Sequence, residues 1–249
     1  MTRPFADHFS ARAQHYAEAR PEYPQALFDW LAKIAPGNAL AWEAGCGSGQ
    51  ATRGLAQVFT RVHATDASAA QFEQAHGPVN IDFRVAPSDR CELATSSVDL
   101  ACVAQALHWF DRPAYFAEVV RVLKPGGVLV AWGYQDVEVP AALVADNARL
   151  QAEIREYWPS ERADVDAAYA HYQWPLPRID APVMDLIAAW PLQRLLNYYA
   201  SYSATQRHAA STGRDIVDEL APAFSSSWGS DAEVQLHWPL FIHAFRKPH

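Results

Sequence analysis

The stretch Trp42-Glu43-Ala44-Gly45-Cys46-Gly47-Ser48-Gly49-Gln50 constrains this chain more than any other. Three glycines at alternate positions follow a short apolar run, residues 39–44, and precede a segment of helical period. This is the pattern of a strand that ends in a tight turn and feeds a helix. Without side chains, the turn lets a ligand approach the backbone closely at the carboxyl edge of a sheet. A dinucleotide fingerprint needs its third glycine or alanine one position later, where this chain has Gln50. Glu43 also stands beside the loop; a carboxylate is unfavourable near a pyrophosphate and favourable near a cation. The loop therefore suits a positively charged nucleoside.

Around the loop the chain alternates apolar runs with helix-period segments, which predicts parallel strands joined by right-handed crossovers. Strands are expected at 39–44, 62–66, 81–85, 98–104 and 128–133. The clearest helix follows Asp111. Pro113 suits its first turn, Phe116, Val119, Val120 and Leu123 repeat at helical spacing, and Lys124-Pro125-Gly126-Gly127 is expected to end it. Residues 1–37, broken by Pro21 and Pro24, read as two helices with a kinked joint that cover the 38–133 core. Residues 134–185 hold five prolines and a helical stretch near 141–157, the composition of an insertion or cap. Residues 186–249 are expected to add helices and a closing strand at 234–246, paired with an extended run near 183–190. All four segments are read as one domain, 1–249.

The composition narrows the function. Of 249 residues, 50% are hydrophobic and 19% charged, which suffices for a large core and excludes a disordered chain. The net charge is −8 and the bases form no run, so no nucleic-acid footprint is expected. Apolar runs fall far short of the ~20 residues that cross a bilayer, and the start, with Asp7 and His8, does not read as a secretory leader. Cys46, Cys91 and Cys102 lack metal-type or disulfide-type pairing, so a reducing cytoplasm and no metal are expected. Nothing implies an obligate protein partner.

Glu43-x-Gly45-x-Gly47-x-Gly49 resembles the first motif of class I S-adenosylmethionine-dependent methyltransferases. The family more often has Asp at the position of Glu43. The stretch from Ser97 to Asp111, with Gln105-Ala106-Leu107-His108-Trp109-Phe110, is similar to the fourth strand and following loop of the type 11 branch, and Leu123-Lys124-Pro125-Gly126-Gly127 to its next element. Tyr16-x-x-x-Arg20-Pro21-x-Tyr23-Pro24 resembles the N-terminal cover of small-molecule methyltransferases related to the trans-aconitate type. The resemblance implies an α/β fold, a doubly wound, mostly parallel, seven-stranded Rossmann-like sheet, with S-adenosyl-L-methionine as cofactor. It implies that Asp66 accepts both ribose hydroxyls, that Ala86 and Ser88 lie on the adenine-side loop, that Gln105 lies near the methionyl part, and that Tyr16 and Arg20 fold over the cofactor.

Each of these residues also has a plainer reading. Asp66 could cap the helix that begins near Ser68; Tyr16 and Arg20, four apart, could pack on the core. His108 follows the fourth strand, where its near-neutral pKa would let it take a proton from an acceptor, and a structural histidine bonded to backbone fits as well. Trp109, Trp132 and Tyr134 are candidate walls of an acceptor pocket. Together with Trp158, Tyr169, Tyr172 and Trp174 they fit either a pocket roofed by the insertion or that insertion's own small core. The expected activity is methyl transfer to a small organic acceptor, a carboxylate, hydroxyl or amine, by in-line displacement. A non-catalytic cofactor-binding module and a nicotinamide-dependent oxidoreductase are the alternatives.

Overall fold

The apolar runs on either side of the glycine loop form a parallel sheet in the computed structural model, which describes residues 20–72 and 77–249. Helix α1 (Gln25–Ile34) precedes β1 (Leu40–Ala44), α2 (Gln50–Val58), β2 (Arg61–Asp66), a turn of helix α3 (Ala69–Phe72) and β3 (Ile81–Val85). Then come β4 (Val98–Ala104), α4 (Arg112–Val122) and β5 (Leu123–Tyr134). The sheet order is β3-β2-β1-β4-β5, all parallel. Its central strands are buried on both faces, which is why they read as continuous apolar runs rather than alternating ones. Glu43 is the exception, placed between Ala64 on β2 and Cys102 on β4.

Helix α4 begins where the sequence places it: Asp111 Oδ1 accepts the Ala114 N–H at 3.3 Å, with Pro113 in the first turn. Its end differs from expectation. Residues 124–127 do not form a free turn; Leu123 already pairs with Val98, and Gly126, at φ 76°, donates to the Lys247 carbonyl. The C-terminal tail thus draws this segment into the strand.

Beyond β5, a 3₁₀ turn (Ala141–Leu143), helix α5 (Val144–Ile154) and a second 3₁₀ turn (Arg155–Tyr157) make up the expected helical stretch. Helix α6 (Arg162–Asp166), β6 (Arg178–Ile179), β7 (Asp185–Trp190), α7 (Leu192–Ala200), α8 (Ser203–Thr212), α9 (Ile216–Trp228) and β8 (Val234–Arg246) complete the chain. The long β8 runs antiparallel to β5 through residues 240–246 and to β7 through residues 234–239. Strand β6 pairs with β8 as well, so the described sheet has eight strands, one more than expected.

Among the described residues, three apolar clusters form the core. One joins α5, α7, α8 and α9 with β7 and the first half of β8. The insertion therefore shares a core with the C-terminal helices. The aromatic residues expected to act together are split: Tyr134 and Trp158 belong to this cluster, Tyr169, Tyr172 and Trp174 pack with α4 and Phe245, and Trp132 lies in the third cluster with α1 and α2.

Candidate functional site

The glycine loop joins β1 to α2 at the carboxyl edge of the sheet. Gly45, Gly47 and Gly49 all have positive φ, 68°, 53° and 84°, which costs other L-residues roughly 1–2 kcal/mol apiece. Gly45 is also held sterically, since a Cβ there would lie 2.8 Å from the Ala106 Cβ and 2.9 Å from the Phe110 ring. At Gly47 a Cβ would meet only Gln71 Oε1 among the described residues, at 3.8 Å, so the described part of the loop leaves room at its middle. The Gly45 and Cys46 N–H groups both donate to the Thr65 carbonyl, at 2.7 and 3.0 Å, and tie the loop to β2.

Asp66 ends β2 beside this loop. One carboxylate oxygen accepts the Gly47 N–H and the other the Ser68 N–H, each at 2.9 Å. The side chain thus does cap the following turn, and in the same position it faces the glycine loop. Glu43 lies beneath, 1% exposed, with the Thr52 hydroxyl donating to it at 2.6 Å. Burial pushes its pKa up to about 8; the Thr52 hydrogen bond opposes this and the charge of Asp66 adds to it. In the loop after β3, the Ala86 N–H donates to the Asp66 carbonyl and Pro87 has no N–H, which leaves Ser88 and Asp89 as the next backbone donors.

After β4, Gln105 adopts φ 55° and its amide bridges to β5: Oε1 accepts the Tyr134 N–H at 2.8 Å and Nε2 donates to the Tyr134 carbonyl at 3.0 Å. His108 sits in the next 3₁₀ turn (Leu107–Trp109), with Trp109 against its ring at 4.7 Å. Its Nδ1 lies 2.9 Å from the Tyr169 hydroxyl, not on a backbone group. Burial pushes its pKa down to about 4.

A family model described as a methyltransferase domain, type 11, matches residues 42–131. A protein from Anaeromyxobacter dehalogenans assigned as a type II methyltransferase is 40% identical, with a TM-score of 0.86 over 92% of this chain and 99% of that one. A protein of Dictyostelium discoideum named as a methyltransferase is 27% identical, over 98% of this chain and 96% of its own length. Other curated relatives match over about half their length. At 14% identity and a TM-score of 0.51, the fold is shared with a phosphoethanolamine N-methyltransferase of Haemonchus contortus solved in complex with S-adenosyl-L-methionine, over 100% of this chain and 62% of that one.

The chain belongs to the class I S-adenosylmethionine-dependent methyltransferases. The cofactor is S-adenosyl-L-methionine, and the donor set fits it: a glycine loop with left-handed backbone, a carboxylate at the end of β2 and the Glu43 carboxyl group below. No helix among the described residues is long and apolar enough to cross a membrane.

In this methyltransferase the sequence-expected residues gather at one edge of the sheet with a few exceptions. Tyr16 lies outside the described residues. The Arg20 guanidinium stands over the rings of Tyr198 and Tyr202, at 5.2 and 5.8 Å, so it is a neighbour of α7 and α8. Trp132 is fully enclosed, edge-on to Tyr23 at 5.8 Å, and its indole N–H has no acceptor among the described residues. Tyr134, 5% exposed, also packs on Tyr23. Sequence reasoning missed Thr52 as the partner of Glu43, Phe110 and Ala106 as the wall against Gly45, and Tyr169 as the partner of His108. The spacing of Thr52, one helical turn after the loop, was the only signal available for any of them.

Proposed function

We propose that this enzyme transfers a methyl group to a small organic acceptor held beneath the 134–185 cap. The observation that carries the reading is the loop with Gly45, Gly47 and Gly49 all in the left-handed region, closed on one side by the Asp66 carboxylate. Gly47 gives the cofactor room to approach, the Asp66 carboxylate beside the loop accepts the two ribose hydroxyls, and Ser88 with its neighbours reads the adenine. Glu43 lies where its charge favours a cation. Gln105 contributes through its backbone, because its amide is engaged with Tyr134. Arg20, over the Tyr198 and Tyr202 rings, belongs to the segment that precedes α1.

S-adenosylmethionine, when bound, supplies a methyl group already activated on a sulfonium. What remains for the protein is to orient the acceptor and exclude water. His108, Trp109 and Tyr134 stand at the carboxyl ends of β4 and β5, where an acceptor would meet them, with Trp132 behind. A small molecule fits this position better than a nucleic acid, given the net charge of −8. The test is transfer of an isotopically labelled methyl group from S-adenosylmethionine to a panel of small acids, phenols and amines. Labelled product from one class supports the reading; cofactor binding without transfer to any member would point to a binding module.

A further inference from the structure

The segment after α6 is built in an unusual way. Ala168 and Tyr169 are consecutive non-glycine residues with positive φ, 48° and 54°. Such backbone persists only where surrounding contacts over-determine it, and it concentrates at functional positions. Here the contacts are visible. The Tyr169 N–H donates to the Asp164 carbonyl at 2.9 Å, the Ala168 N–H to the Val165 carbonyl at 2.8 Å, and the ring of His243 lies with Nε2 2.7 Å from the Ala168 carbonyl. The Tyr169 ring stacks on Tyr172 with centroids 4.9 Å apart and takes Phe241 edge-on at 5.0 Å. The result of this strain is a fully buried phenol whose hydroxyl meets His108 Nδ1 at 2.9 Å.

The direction of that hydrogen bond can be deduced. A neutral imidazole carries one N–H and one lone pair, while a phenol carries one O–H and two lone pairs. His108 Nδ1 is the only hydrogen-bond acceptor within reach of the Tyr169 O–H among the described residues. If Nδ1 held the proton, the buried O–H would be left without an acceptor, a loss of roughly 1–3 kcal/mol. The phenol O–H is therefore the donor and Nδ1 the acceptor.

We propose that Tyr169 is a positioning residue that fixes His108 in the tautomer with its proton on Nε2, so that the site offers the methyl acceptor a hydrogen-bond donor and not a base. This rests on the reading of His108 as facing the acceptor. His108 Nε2 has no protein partner among the described residues. The charged groups that act on the ring, Asp164, Arg162 and Glu161, belong to the cap. Asp164 is bonded to the Tyr172 hydroxyl and His171, and Arg162 to Asp136 and Asp166. The acceptor this arrangement favours has an oxygen for Nε2–H to bond and a nucleophilic lone pair that needs no deprotonation, as in an oxyanion.

The test is ¹⁵N spectroscopy of the histidine side chains in the intact chain, with the His108 signal among the ten histidines assigned by its loss in His108→Gln. The expected spectrum has a protonated Nε2 and an unprotonated Nδ1 that does not change between pH 5 and 9. In Tyr169→Phe the signal should move to the averaged position of exchanging tautomers, while affinity for S-adenosylmethionine stays within about twofold. A proton on Nδ1 in the wild-type chain, or tautomer exchange already present there, overturns the proposal without need of the variant. Failure of the chain to bind S-adenosylmethionine would overturn the reading of the site instead, and would leave the tautomer result intact.

Discussion

Thr52, in the first turn of α2, donates a 2.6 Å hydrogen bond to Glu43 at the end of β1, and both side chains are buried. The bond crosses under the glycine loop and holds a carboxyl group that burial keeps protonated up to about pH 8. A cation bound above it would favour the ionised form, so binding would release a proton.

Cofactor affinity is thus expected to rise with pH, by at most tenfold per unit, and to level off near pH 8. Glu43→Gln should abolish the dependence. Calorimetry in two buffers of different ionisation enthalpy measures the proton directly; equal heats in both would remove Glu43 from the cofactor's surroundings. Stability should run the other way. The folded pKa lies above the ordinary 4.5, so the folded chain retains a proton that the unfolded chain loses. Stability is predicted to decline as pH rises from about 4.5 to 8, and Glu43→Gln should flatten that decline.

The glycines of the loop should respond differently to substitution. Gly45→Ala adds a methyl group within 3 Å of Ala106 and Phe110 to an already unfavourable φ, whereas Gly47→Ala adds to its unfavourable φ only an ordinary contact with Gln71 among the described residues. Urea denaturation should show Gly47→Ala losing about 1–2 kcal/mol and Gly45→Ala clearly more. Gly47→Ala should nonetheless bind cofactor poorly, because its methyl group enters the open part of the loop. Equal stabilities for the two variants would show that Phe110 yields without cost.

A second pH effect is expected on β8. His237 on β8 bonds Glu138 through Nδ1 at 2.7 Å and Asp185 on β7 through Nε2 at 3.0 Å. The Glu138 hydrogen bond, helped by Asp185, raises its pKa above 6.5. The stabilisation is complete below about pH 6.5 and is lost as pH rises through the folded pKa. The partners are largely exposed, so it amounts to no more than about 1 kcal/mol. His237→Gln should lower the melting temperature at pH 6 and leave it unchanged at pH 9; the same deficit at both values would mean that packing, not charge, is lost.

Much of the core was legible because its signals are local. Strands β3 and β4 fall where the apolar runs 81–85 and 98–104 place them, and α4 starts at its Asp111 cap. The closing strand and its pairing with residues near 183–190 were also readable, since β8 is long. What escaped depends on distant contacts. The start of β5 is drawn in by Lys247 across the molecule, and β6 has only two residues, too few for a pattern. At the site, the glycines follow from local spacing and Asp66 from the family resemblance, but the bond between His108 and Tyr169 spans 61 residues and depends on two left-handed residues that no propensity foretells. Arg20 over Tyr198 and Tyr202 is likewise a tertiary contact.

The most direct test of the account is calorimetric titration of the chain and of Asp66→Ala with S-adenosylmethionine, with reduced nicotinamide dinucleotide as the control. Asp66 is assigned two hydrogen bonds from ribose, each worth roughly 1.5–3 kcal/mol with a charged partner. One-site binding of S-adenosylmethionine alone, weakened about a hundredfold or more in Asp66→Ala, is the predicted result. Undiminished affinity in Asp66→Ala, or binding of the nicotinamide nucleotide instead, would contradict it.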